Sequence, residues 1–155
     1  MSTLPIVPTV HPLSKARTQP ASHDDSASLR ADLREADLEP LLVAFYATVE
    51  NDALLAPYFE SLDMVEHIPR IADFWSTLLF HTGRYTGNAF RPHLEMPKLR
   101  AEHFERWLAT LDATLDASHD GPNAQRMKMF ARRVGFSMQV RLGIEPAPDF
   151  RTDPL

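Results

Sequence analysis

The sequence predicts an all-α body. Four long stretches repeat apolar residues at the i, i+3, i+4 spacing of a buried helix face, and nothing alternates with the period of two that a half-buried strand needs. Turn-forming residues punctuate the joins, at Gly83 and Gly87, at Asp120-Gly121-Pro122-Asn123 and at Gly143. With 155 residues and 44% apolar content, the chain has material for one domain with one core.

Taken in order, residues 1–36 contain no aromatic side chain and hold Pro5, Pro8, Pro12 and Pro20, so they read as a Pro-rich arm, extended or flexible over 1–27. A short lead-in helix is expected at Ser28–Ala36. The body is expected at 37–143, opening on a helix from Asp37, its N-cap, to about Glu50, with Leu38, Leu41, Leu42, Phe45, Tyr46 and Val49 on one face. Pro40 is tolerated there because first-turn amides lack helical partners anyway. A cap at Asn51 or Asp52 and a corner ending in Phe59 follow. The second helix, about Met64 to Thr82, carries His67 on an apolar stripe with Ile68, Ile71, Phe74 or Trp75, and Leu78 or Leu79. Gly83 and Gly87 close it and open a loop holding Arg84, Tyr85 and Arg91. After a proline-bracketed turn with His93, a third helix from about Arg100 to Ser118 buries Phe104, Trp107, Leu108, Leu111 and Leu115. The last, from Pro122 to about Leu142, buries Met127, Phe130, Val134 and Met138, with Gly143 as its stop. Residues 144–155 read as a loose tail.

Composition narrows the chemistry. A formal net charge of -5 gives no electrostatic footprint for nucleic acid or an anionic membrane. No cysteine is present, which removes disulfides, thiolate-held zinc, iron–sulfur clusters and a cysteine nucleophile. No run of residues is long and apolar enough for a membrane span, and the start lacks a signal-peptide apolar region, so a cytoplasmic protein is expected. The Glu-x-x-His pairs of a di-iron bundle, the HExxH of a zinc site, a phosphate-binding glycine loop and a GxSxG elbow are all missing.

Of seven histidines, His11 and His23 lie in the arm, His119 in a turn and His103 at a helix start. His81 ends a helix, where an imidazole suits the dipole. His67 and His93 stand apart from these, one on an apolar helix face and the other in a short rigid turn. Each is either a satisfied core imidazole or a ligand. Tyr46, His67 and Trp107 put three hydrogen-bonding side chains on the inward faces of three helices, beside Phe45, Phe59, Ile71 and Phe74, which suggests a pocket with one polar end.

These residues resemble the truncated haemoglobins, and among them group III, over roughly 37–143. The resemblance rests on FYATV with Phe45-Tyr46, on NDALLAPYF ending in Phe59, on EHIPRIADFW with His67 and Phe74-Trp75, on RYTG, and on His93 standing fourteen residues before Trp107. It implies a truncated globin, a two-over-two helical sandwich, with haem b tied by His93 as the proximal iron ligand. Phe59, Ile71, Phe74 and Tyr85 would then line the ring, and Arg70, Arg84 or Arg91 would pair with its propionates. Tyr46, His67 and Trp107 would form the distal set. Pro69 and the long arm depart from the family pattern. The implied partners are oxygen or nitric oxide and an unknown reductase. Reversible gas binding, with or without redox turnover such as nitric oxide detoxification, a haem peroxidase-like enzyme and a haem-free helical interaction module remain the functional readings.

Overall fold

The computed structural model describes residues 29–151, and every regular element among them is helical. The first helix, α1, spans Leu38–Glu50 and buries all six residues of its expected face. Asp37 does not cap it. Its carboxylate turns back to accept from the Arg34 amide at 2.9 Å, closing a 3-10 turn at Glu35–Asp37 that takes the place of the expected lead-in helix. At the following corner Asp52 is the capping residue, accepting from the Leu54 amide at 2.9 Å ahead of a 3-10 turn at Ala56–Tyr58.

The second helix, α2 (Met64–Phe80), starts earlier than Pro69, because Asp63 accepts from the Val65 amide at 2.9 Å and satisfies a first-turn donor. Pro69 is therefore held inside the helix, at the loss of one backbone hydrogen bond. The apolar face of α2 divides in two. Ala72, Trp75, Ser76 and Leu79 are buried, while Ile68, Ile71, Phe74 and Leu78 pack on the core only partly covered. The helix stops at His81, not at the glycines: His81 adopts φ 57 and its amide bonds the Thr77 carbonyl at 3.2 Å.

A single turn, α3 (Arg91–Leu94), carries His93. Beyond it, α4 (Ala101–Ser118) buries Phe104, Leu108, Leu111 and Leu115 as expected, together with His103. The last helix, α5 (Pro122–Arg141), presents Ala124, Met127, Ala131, Gly135, Met138 and Gln139 to the core, whereas the expected Phe130 and Val134 are half-buried. Three of these, at 124, 131 and 135, are small. Gly143 takes φ 73 just past the end of α5. Contacts run from α1 to α2 and α4, from α4 to α5, and from α5 back to α2, so the four long helices close on one another as the expected two-over-two sandwich requires.

Both ends of the body differ from expectation. Residues 1–28, most of the arm, lie outside the described residues, but Asp32 and Leu33 belong to the body. Leu33 is buried, and the Asp32 carboxylate accepts from the Asn123 and Ala124 amides at 3.0 and 3.1 Å, capping α5 from a distant part of the chain. The tail is not loose up to residue 151. The Ala147 amide donates to the Gln139 side-chain oxygen at 3.2 Å, and the fully buried Phe150 lies on Gly135. The sequence gives no warning of this plug because one aromatic residue among prolines has no periodicity.

A Cβ at Gly135 would collide with the Phe150 ring. Gly135→Ala should destabilise the chain by about 1–3 kcal/mol, read as a lower urea midpoint, because overpacking outweighs the usual helical gain from alanine. Burial alone would raise the Asp32 pKa, but the Asn123, Ala124 and Leu33 amides and His119 together hold it below the ordinary carboxylate value. Its stabilisation is therefore complete above that value and fades as pH falls below it. Asp32→Ala should cost about 1 kcal/mol near neutral pH, and the gap from the unmodified chain should narrow in acid, as measured by denaturant unfolding across pH.

Candidate functional site

Tyr46 sits two-thirds of the way along α1 with its ring buried, so its hydroxyl needs a partner. His67, at the end of the first turn of α2, supplies it: the imidazole Nε2 lies 2.9 Å from the phenol oxygen. The rings meet edge to face at 5.1 Å, and Phe59 at the corner approaches both, at 5.6 Å from Tyr46 and 6.4 Å from His67. Three of the expected site residues are thus brought into one cluster. Burial raises the Tyr46 pKa well above that of a free phenol, so the hydroxyl keeps its proton at neutral pH. Burial, with the positive charge of Arg70 behind it, lowers the His67 pKa, so this imidazole is neutral there.

His93 stands on α3, half-buried, with Nδ1 2.8 Å from the Ala89 carbonyl oxygen. A carbonyl can only accept, so Nδ1 carries the proton and, in the neutral ring, Nε2 holds a lone pair. Burial lowers the His93 pKa, and the bond to Ala89 only partly offsets this, which keeps the ring neutral. The Asn88 side-chain oxygen accepts from the Phe90 and Arg91 amides at 3.0 and 3.3 Å and closes the start of this turn.

The remaining expected residues divide. Ile71, Phe74 and Trp107 are half-buried against the core, and Phe74 meets Tyr85 edge to face at 5.3 Å. Trp107 takes no part in the Tyr46–His67–Phe59 ring cluster. Arg70 and Arg91 are exposed. Arg84 is engaged elsewhere, forming an ion pair with Glu35, whose carboxylate also accepts from the Ser76 hydroxyl at 3.0 Å. His103, set aside on sequence as a helix-start residue with charged neighbours, has a structural role. Its Nδ1 accepts from the Arg100 amide at 3.0 Å and its ring packs edge-on to Tyr58. Asn88 was not singled out in the sequence, although an asparagine three residues ahead of a helix opened by Arg91-Pro92 is a readable capping signal.

These features fit what an iron porphyrin requires of a protein. His93 presents a neutral imidazole whose second nitrogen fixes its tautomer. The partly covered side chains of Phe59, Ile71, Phe74, Leu78 and Phe90 offer apolar surface that the core does not consume. Among the described residues, no three His, Asp or Glu side chains converge to hold a bare metal ion, so a macrocycle would have to supply the other donors. Also among the described residues, no helix is long and apolar enough to cross a membrane.

No family model matches the chain. A group 3 truncated haemoglobin from Campylobacter jejuni is 29% identical over 90 residues, covering 54% of this chain and 71% of that protein. The crystal structure of a group III truncated haemoglobin from the same organism superposes with a TM-score of 0.65 at 26% identity, over 71% of this chain and 91% of that one. The resemblance read from the sequence therefore holds in both sequence and fold.

Removing the Arg70 charge should move the His67 titration upward while burial still keeps it below the ordinary imidazole value. Nitrogen NMR of Arg70→Gln against the unmodified chain measures this, and an unmoved or lowered His67 pKa would contradict the assigned electrostatics.

Proposed function

We propose, from the premise that this chain is similar to the group III truncated haemoglobins in sequence and in fold, that it holds haem b through His93 and reversibly binds a diatomic gas, oxygen or nitric oxide, on the opposite side. The observation that carries this reading is the pairing of two imidazoles in different states of engagement. His93 has its Nδ1 proton committed to Ala89 and its other nitrogen available, while His67 is tied to a buried phenol. The bound haem would supply the iron at which the gas is held. The absence of cysteine leaves no thioether attachment, which supports a porphyrin held by coordination and packing alone.

In this reading Phe59, Ile71, Phe74 and Tyr85 exclude water from the ring faces, and the exposed guanidiniums of Arg70 and Arg91 serve the propionates. Arg84 is the weaker candidate for that task because Glu35 already engages it. Tyr46 and Trp107 donate to the gas. With His67 neutral and its proton on Nε2, the Nε2–H can donate a hydrogen bond to the Tyr46 oxygen, which leaves the phenolic O–H free to point at the ligand and strengthens it as a donor. His67 also gates access, since it is only half-buried where Tyr46 is enclosed.

Turnover such as nitric oxide detoxification requires electrons from a reductase outside the chain. A peroxidase-like activity would instead use His67 to move a proton, and its neutral ring is suited to accept one. Oxygen release and peroxide turnover, measured side by side, separate the two readings.

The purified chain with added hemin should give a strong Soret band that shifts with carbon monoxide and is lost in His93→Ala. A colourless protein would remove the reading in favour of a haem-free interaction module. Loss of one hydrogen bond to a charged acceptor corresponds to roughly ten- to over a hundredfold in rate. Tyr46→Phe should therefore accelerate oxygen dissociation by that range in stopped-flow displacement, and an unchanged off-rate would reject Tyr46 as donor.

A further inference from the structure

We infer that Asn88 is a positioning residue for His93, with Arg141 of α5 as its counterpart on the other side of the same turn. The inference rests on the haem reading above and concerns what keeps the imidazole aimed. α3 has four residues, far too few for helical cooperativity to hold it together. The donors at its start can be accounted for one by one. The Phe90 and Arg91 amides both donate to the Asn88 side-chain oxygen, Pro92 has no N–H, and the His93 amide donates to the Phe90 carbonyl at 3.0 Å. The acceptor for the imidazole, the Ala89 carbonyl, lies between Asn88 and Phe90 in the chain, so the cap that orders this turn also orders the group that sets the His93 tautomer. From the far side, the Arg141 guanidinium carbon stands 3.7 Å above the centre of the Phe90 ring, fixing the first residue of the turn to the end of α5. Beyond the packing of Phe90 on the core, these two side chains restrain the turn, and Arg91, Pro92 and Leu94 are exposed.

The test uses the full chain loaded with hemin and two readouts, the rate of hemin loss to an excess of scavenging apoglobin and the iron–imidazole stretching band of the ferrous form by resonance Raman. Asn88→Ala is expected to lose hemin about tenfold faster, with a shifted or broadened band. Asn88→Asp, which keeps the acceptor oxygen, is expected to restore both. Hemin loss at the unmodified rate with an unshifted band in Asn88→Ala overturns the inference, as does failure of Asn88→Asp to restore them. Arg141→Gln provides a second route that leaves the cap intact. A smaller acceleration is expected from it, and an unchanged rate overturns the clamp assigned to Arg141. Failure of the underlying reading looks different: the unmodified chain would take up no hemin, or His93→Ala would keep the iron–imidazole band.

Discussion

A phenol hydroxyl carried into a helical core cannot be left without a partner, and much of this structure follows from how Tyr46 meets that demand. Leaving a buried hydroxyl unbonded costs about 1–3 kcal/mol, comparable to the gain from burying a whole apolar side chain. α1 cannot satisfy the group itself, because its backbone acceptors are used within the helix. The answer comes from α2, whose start at Asp63 places His67 within 2.9 Å of the hydroxyl. That bond ties the two helices together, and it leaves a polar pair in a body that also carries partly covered aromatic and aliphatic surface.

The division of the α2 face separates structural residues from those available for function. On α2, Ala72, Trp75, Ser76 and Leu79 are used up by the core, while Ile68, Ile71, Phe74 and Leu78 make a second stripe only half covered. A helix that is apolar over such a wide arc has more surface to bury than its neighbours cover. His93 stands on a separate one-turn segment whose imidazole is oriented by its own backbone. The framework that keeps the body folded and the groups that would handle a cofactor are thus borne by adjacent, largely non-overlapping sets of side chains.

Much of this was legible in the sequence, for identifiable reasons. The inner face of α1 was readable residue by residue because six apolar or amphipathic side chains at helical spacing leave no competing register. The need of Tyr46 for a partner was also readable, although its identity depended on a long-range contact. The face of α2 was harder, because Phe74-Trp75 and Leu78-Leu79 are adjacent apolar pairs and spacing alone does not say which member faces inward. Asp37 was misassigned because an aspartate ahead of a helix serves equally well as a cap or as a partner to a preceding arginine. The Asp32 cap on α5 and the Phe150 plug were invisible, since each acts across a large sequence separation. His103 was read only as a helix-start residue, yet its ring is buried against Tyr58.

The two chain ends described here are fastened to the same element. Asp32 is bonded to the first amides of α5, and Phe150 is seated on Gly135 further along that helix. Tension entering from either terminus would reach α5 before it reached the pair of helices bearing Tyr46 and His67. The geometry of those two side chains is in that sense mechanically sheltered from whatever the arm or the last residues are attached to.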